Sequence, residues 1–184
     1  MTLFKSLLFP AVILFLASAC SPSKSVSMQE PTLRLYEILK DRDSSKMLKG
    51  IVTKEQITQD TAFSWYGTNL KIFKPNTEAM SAVKAKADKI SIIIFGGTWC
   101  EDTHQLLPKY LSVLEGAQFP EDRLMLVAVD RKKTTIGNLH ETFNITNVPT
   151  CIIMKDGKEV GRIVEYGKTG LVDKELGDMV AAIQ

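Results

Sequence analysis

Two continuous apolar runs near the middle of the chain restrict its fold more than any other feature. Residues 90–95 and 124–129 are short and rich in branched aliphatic side chains, which is typical of strands buried on both faces, as in a parallel sheet. The segment between them carries apolar residues at helical spacing, namely Leu106, Leu107, Tyr110, Leu111 and Leu114. A strand, a helix and a second parallel strand form a βαβ unit. The sequence therefore predicts an α/β fold.

The pattern continues toward the carboxyl terminus. A short helix is expected over residues 136–143, and residues 150–164 are expected to form an antiparallel hairpin that turns at Asp156-Gly157. Residues 172–183 have the apolar spacing of an amphipathic helix. The predicted order from the first apolar run onward is therefore β-α-β-α-β-β-α.

Residues 31–75 are predicted to be a helical extension of a main domain at residues 76–184. Pro31 suits a helix start, and apolar residues follow it at helical spacing: Leu35, Ile38 and Leu39. Thr53 and Gln56 fit a capping box, which predicts a second helix directly after the threonine. Three aromatic residues are expected to pack the extension onto the core: Phe63, Trp65 and Tyr66.

The first 19 residues are predicted to be a lipoprotein signal peptide. A lysine and an apolar run too short to cross a bilayer are followed by small residues, and residues 16–20, Leu-Ala-Ser-Ala-Cys, resemble a bacterial lipobox. In that motif Cys20 carries palmitate-type acyl chains that bind the lipid bilayer; an ordinary secretory signal is the alternative. Residues 20–30 are predicted to form a tether, and Ser21 favours the outer membrane of a bacterial cell envelope.

Charge and cysteine content exclude several classes of protein. The chain has 23 Lys and Arg against 21 Asp and Glu, a formal net charge of +2, so nothing in its charge favours nucleic-acid binding. Three cysteines are too few for a disulfide scaffold. We expect no nucleic-acid partner and no cofactor.

The candidate nucleophile is Cys100, at the predicted junction between the first buried strand and the following helix. It ends the sequence Gly-Gly-Thr-Trp-Cys, residues 96–100. Free backbone N–H groups and the helix dipole favour a thiolate at such a position, while Glu101 and Asp102 oppose it. Each effect is on the order of 1 kcal/mol, so the sequence leaves the stability of the thiolate open.

Four features, in this order, resemble the thioredoxin superfamily. They are Trp99-Cys100 after an apolar strand, Pro108 within the following helix, Val148-Pro149-Thr150 as a cis-proline loop, and the Asp156-Gly157 hairpin. The resemblance implies a thioredoxin-like fold, with a central mixed sheet flanked by helices. It also implies that Cys100 reacts with thiols or disulfides of protein clients while Pro149 and Thr150 dock the client backbone. More narrowly, the chain resembles envelope lipoproteins with a single-cysteine Trp-Cys-x-Asp motif.

Two departures from the thioredoxin motif limit what this resemblance implies. Thioredoxins have a second, resolving cysteine three residues after the first, where this chain has Thr103. The buried acid of thioredoxins corresponds to Ile94. An intramolecular dithiol cycle within this motif is therefore impossible, and Cys100 is predicted to act as a monothiol.

Two further side chains have open roles. His104 lies four residues after Cys100 and is expected on the same helix face, where it could exchange a proton with the thiol, ligate Cu(I) or Zn(II) together with it, or be an ordinary helix residue. Cys151 is expected to be a buried structural residue, with a Cys100–Cys151 bridge in one redox state as the alternative.

The sequence is compatible with three functions. The first is a monothiol role in the thiol–disulfide redox homeostasis of the cell envelope. The second is a binding module with a thioredoxin fold and no catalysis. The third is a metal-handling protein built on Cys100 and His104.

Overall fold

The computed structural model describes residues 35–184. The predicted signal peptide, the lipidation site Cys20, the tether and Pro31 lie outside the described residues and stay predictions. Within the described residues no helix is both long and apolar enough to cross a membrane.

Six strands and six α-helices follow one another along the described residues. The strands are β1 (Tyr36–Lys40), β2 (Lys46–Val52), β3 (Ile90–Gly96), β4 (Leu124–Ala128), β5 (Thr150–Lys155) and β6 (Lys158–Val164). The helices are α1 (Lys54–Thr58), α2 (Trp65–Ile72), α3 (Thr77–Lys86), α4 (Glu101–Gly116), α5 (Leu139–Thr142) and α6 (Val172–Ala181). Short 3₁₀ turns lie at Thr61–Phe63, Glu121–Arg123 and Ile136–Asn138.

The strands form one mixed sheet in the order β1-β2-β4-β3-β5-β6. Strands β3 and β4 are parallel and are joined by α4, which confirms the predicted βαβ unit. Strands β3 and β5 are antiparallel, as are β5 and β6, which form the predicted hairpin. The order of elements from β3 to α6 is the one expected from the sequence, and the α/β fold with helices flanking a mixed sheet is confirmed.

The prediction of a helix in the amino-terminal part of the extension is wrong. Residues 36–40 form β1, which pairs antiparallel with β2, and β2 pairs antiparallel with β4, so these two strands together extend the sheet. Ladder hydrogen bonds to a neighbouring strand outweigh a helical spacing of only three apolar residues. The second predicted helix is correct: Thr53 caps α1, its hydroxyl accepting from Gln56 N–H while the Gln56 side chain accepts from Thr53 N–H.

Side chains of the central strands alternate between two apolar clusters, one on each face of the sheet. Ile92 and Ile94 belong to the larger cluster with the buried residues of α3, α4 and α6. Ile93 and Phe95 belong to the smaller cluster on the other face. The expected packing of the aromatic residues is confirmed, because Phe63 and Tyr66 are buried and Trp65 packs against the larger cluster.

Candidate functional site

Cys100 lies at the amino-terminal end of α4, directly after the loop that leaves β3. It is the N-cap residue, its N–H donates to Gly97 O (2.9 Å), and its carbonyl accepts from His104 N–H (3.0 Å). Glycine is needed at position 97 because a Cβ there would lie 2.7 Å from the Trp99 ring. The thiol is thus held at the positive end of a 16-residue helix.

The structure brings the predicted cis-proline loop to this cysteine. The Val148–Pro149 peptide bond is cis, and the Cys100 thiol donates to the Val148 carbonyl at 3.4 Å. Thr150 is buried, and its hydroxyl donates to Asn147 O at 2.7 Å. The Thr150 hydroxyl therefore stabilises the loop itself. Pro149 lies between Val148, which contacts the thiol, and Thr150.

Trp99 is held beside Cys100 by contacts that the sequence did not predict. Its indole N–H donates to Val129 O at 2.9 Å, and the Arg131 guanidinium lies 5.0 Å from the centroid of its ring. Arg131 also binds both carboxylate oxygens of Asp41, at 2.5 and 2.8 Å. This hydrogen bonding by Arg131 lowers the pKa of the Asp41 carboxyl. One side of the cysteine therefore carries an aromatic ring covered by a cation.

His104 points to the backbone of the loop before Cys100. Its Nε2 donates to the carbonyl of Thr98 at 2.8 Å, and its ring stacks on Trp65 with 4.3 Å between centroids and 16° between planes. Within residues 35–184 the hydrogen-bond partner of the Cys100 thiol is Val148 O and not His104. The part of the chain that the structure describes also contains no group of three or more His, Cys, Asp or Glu suited to a metal ion.

The two acidic residues that follow Cys100 differ in their surroundings. Glu101 is exposed, whereas Asp102 Oδ1 accepts a hydrogen bond from the Tyr166 hydroxyl at 2.8 Å. That hydrogen bond raises the pKa of the Tyr166 phenol. Tyr166 lies in the loop between β6 and α6 and is 40% exposed, so it adds an accessible aromatic side chain to the site that no local sequence signal indicated.

Thr103 occupies the buried face of the first turn of α4. It is 1% exposed, and its hydroxyl accepts a hydrogen bond from Gly97 N–H at 3.2 Å. Its methyl group lies 2.9 Å from the place that a Cβ on Gly96 would take. The side chain therefore supports the loop that carries Cys100.

The thioredoxin family model matches residues 71–175, more than half of the chain. The chain belongs to the thioredoxin family. The match begins within α2, so most of the extension that carries β1, β2 and α1 precedes the thioredoxin domain.

Curated thioredoxins show the same similarity. The chain is 31% identical over 92 residues to thioredoxin of Chlamydia pneumoniae, covering 49% of this chain and 78% of that protein. It is 30% identical over 97 residues to the TPR repeat-containing thioredoxin TDX of Arabidopsis thaliana, covering 53% of this chain but only 24% of that longer protein. Among solved structures, the reduced thioredoxin pre-protein of Schistosoma mansoni aligns over 59% of this chain and 91% of its own, with 24% identity and a TM-score of 0.37.

The departures from the thioredoxin motif lie in the core of the structure. Ile94, at the position of the thioredoxin acid, is buried and pairs with Leu126 on β4 and Cys151 on β5. Thr103 leaves the resolving position without a thiol. The site thus keeps one cysteine of the thioredoxin pair and an apolar side chain in place of the acid.

Cys151 is a buried free thiol, as the structural interpretation predicted. It is 0% exposed, and burial raises the pKa of its thiol to about 12. It belongs to the larger apolar cluster, whereas Cys100, also a free thiol, packs against the smaller one. The structure therefore does not bring these two cysteines together for the alternative bridge.

Proposed function

We propose that this protein is a membrane-anchored member of the thioredoxin family whose Cys100 acts as a monothiol in the thiol–disulfide redox homeostasis of the cell envelope. The observation that carries the proposal is the position of one thiol. Cys100 Sγ lies at the start of α4 and 3.4 Å from the carbonyl of Val148, directly before the cis-proline. It is partly accessible.

The proposed reaction is a thiol–disulfide exchange in two steps. The Cys100 thiolate attacks one sulfur of a client disulfide, so that a bond forms between that sulfur and Cys100 while the client's other sulfur leaves as a thiolate and takes up a proton. A second thiolate, from the client or from a low-molecular-weight thiol, then attacks the client sulfur of the mixed disulfide and forms a new disulfide with it, while Cys100 leaves as a thiolate. Because position 103 is threonine, this second thiol must come from outside the motif.

The charges around Cys100 support a reactive thiol. The amino terminus of α4 favours an anion, and the Arg131 guanidinium lies on one side of the site, over Trp99. The Tyr166 hydroxyl donates to the Asp102 carboxylate, and the dipole of this O–H group opposes part of the field that the carboxylate exerts at the thiol. Pro149 and Thr150 directly follow the Val148 carbonyl that the thiol contacts, and their side chains are buried, so their backbone is the proposed contact for an extended client segment.

Trapping of the mixed disulfide tests this function. The full-length protein is incubated with a disulfide-containing test protein, quenched with an alkylating agent and analysed by non-reducing electrophoresis and mass spectrometry. We expect a mixed disulfide at Cys100 that accumulates until a low-molecular-weight thiol is added, and its loss in Cys100→Ser. The matched control Cys151→Ser should retain it. A wild-type Cys100 that reacts with the disulfide no faster than free cysteine would refute the proposal and leave a non-catalytic binding module.

The proposed anchor is Cys20, through acyl chains on its sulfur and amino terminus. The lipobox-like sequence before it supports this proposal. In a bacterial host, metabolic labelling with palmitate should label the wild-type protein, whereas Cys20→Ala should be unlabelled and recovered outside the membrane fraction. Density separation of inner and outer membranes tests the proposed outer-membrane location. Equal recovery of both proteins in the membrane fraction would contradict the lipid anchor.

A further inference from the structure

The segment before the thioredoxin domain contacts the loop that carries the reactive cysteine. We call residues 36–70 the amino-terminal segment and residues 97–100 the cysteine loop. The thioredoxin family match begins at residue 71, so the amino-terminal segment lies outside that match.

The first contact holds the side chain of Thr98, the second residue of the cysteine loop. Leu48 N–H, on β2, donates to the Thr98 hydroxyl at 3.1 Å, and this hydrogen bond is buried. Thr98 is itself 7% exposed. Because a buried hydrogen bond of this kind is costly to leave unmade, the amino-terminal segment restrains the middle of the cysteine loop.

The second contact holds the backbone of the same residue. His104 Nε2 donates to Thr98 O at 2.8 Å, and two side chains of the amino-terminal segment hold His104 in place. Trp65 stacks on its imidazole ring at 4.3 Å, and the Asn69 amide donates to its backbone carbonyl at 2.9 Å. Stacking restricts the plane of the imidazole, which directs Nε2 at the Thr98 carbonyl.

A third contact reaches the residue next to the cysteine. Asp41, in the turn between β1 and β2, binds the guanidinium of Arg131 through both of its oxygens. The same guanidinium lies over the ring of Trp99. The amino-terminal segment thus acts on the cysteine loop at Thr98 and at Trp99, the two residues that precede Cys100.

We infer that the amino-terminal segment positions the reactive thiol, and that Trp65 acts through His104 on Thr98 to hold Cys100 Sγ at the start of α4. This inference rests on the proposed monothiol function and assigns His104 the role of a positioning residue. A loop released from these contacts moves the thiol away from the helix terminus. The thiolate then loses the favourable helix dipole, and its reactivity falls.

Paired substitutions in the full-length protein separate positioning from simple packing. Trp65→Leu removes the stacked ring and keeps apolar bulk, while Trp65→Phe keeps an aromatic face. His104→Leu removes the donor to Thr98, while His104→Gln keeps one. Val83→Ala is the control for lost stability, because Val83 is fully buried in α3 and this helix packs on α6 and on α4 near Gly116, at the end of α4 remote from Cys100.

The readout is the rate of iodoacetamide alkylation at Cys100 at neutral pH, followed by mass spectrometry of the peptide that contains it. We expect both leucine variants to react about five- to tenfold more slowly than the wild type, a decrease within the range of the helix dipole's effect on an anion at a partly buried helix terminus. The Phe and Gln variants should stay within about twofold. Val83→Ala should lower the melting temperature without changing the rate.

Each outcome bears on one of the two proposals. Wild-type rates in both leucine variants would overturn the positioning role, as would an equal decrease in Val83→Ala. A wild-type Cys100 that reacts no faster than free cysteine would instead refute the monothiol function, while the ratios between variants would still report on positioning.

Discussion

Thr103→Val isolates the contribution of one hydroxyl group to the cysteine loop. Threonine and valine have nearly the same shape, so the substitution keeps the packing of the side chain against Gly96. It removes the oxygen that accepts from Gly97 N–H at 3.2 Å in a buried environment. Since Gly97 is itself buried, water cannot replace the lost acceptor without a rearrangement of the loop.

The size of the effect follows from two opposing contributions. A buried N–H without a partner costs about 1–3 kcal/mol, while a methyl group in place of the hydroxyl returns up to about 1 kcal/mol through apolar burial. The free energy of unfolding should therefore fall by about 1–2 kcal/mol. For a domain of this size 1 kcal/mol corresponds to about 2–4 °C, so the melting temperature should fall by about 2–8 °C.

The assay is thermal and urea unfolding monitored by circular dichroism, with Thr142→Val as the matched control. Thr142 is exposed, and its hydroxyl donates at 3.3 Å to the carbonyl of Asn138, the N-cap residue of α5. Its substitution should change stability by less than about 0.5 kcal/mol. A Thr103→Val variant as stable as this control would show that the Thr103 hydroxyl does not support the cysteine loop.

Two further predictions concern ionisable side chains, Asp130 and Cys151. Burial raises the pKa of the Asp130 carboxyl, but hydrogen bonds from Lys49 and Thr134 outweigh it and lower that pKa to about 2. The ionised Asp130 carboxylate should therefore stabilise the folded state fully above the ordinary aspartate pKa of about 4, and this contribution should be lost as the pH falls toward 2. Urea unfolding across this range should show a free energy of unfolding that depends less on pH in Asp130→Asn than in the wild type. An unchanged pH dependence would contradict the prediction. Because burial raises the pKa of the Cys151 thiol to about 12, iodoacetamide at neutral pH should modify Cys100 in the folded protein and Cys151 only after unfolding. Equal labelling of both thiols without denaturant, measured by peptide mass spectrometry, would argue against the buried position of Cys151.

Much of the fold could be predicted because its signals are local. The apolar run of β3, that of β4, the helical spacing of α4 and the Asp-Gly turn between β5 and β6 are each contained in a short stretch of sequence. The expected helix before residue 40 was wrong because the pairing of β1 with β2 joins residues across a turn. Three apolar residues at helical spacing carry too little free energy to oppose a strand ladder.

The candidate site likewise has features that the local sequence predicts and contacts that it does not. The sequence by itself determined that Cys100 follows a buried strand and starts a helix, and that Thr103 leaves it without a resolving partner. Only the tertiary structure decided which groups surround the thiol. Trp65 meets His104 across 39 positions of the chain, and Asp41 meets Arg131 across 90. Such contacts depend on the register of the sheet and on the packing of α2 against α4, which no local pattern of residues contains.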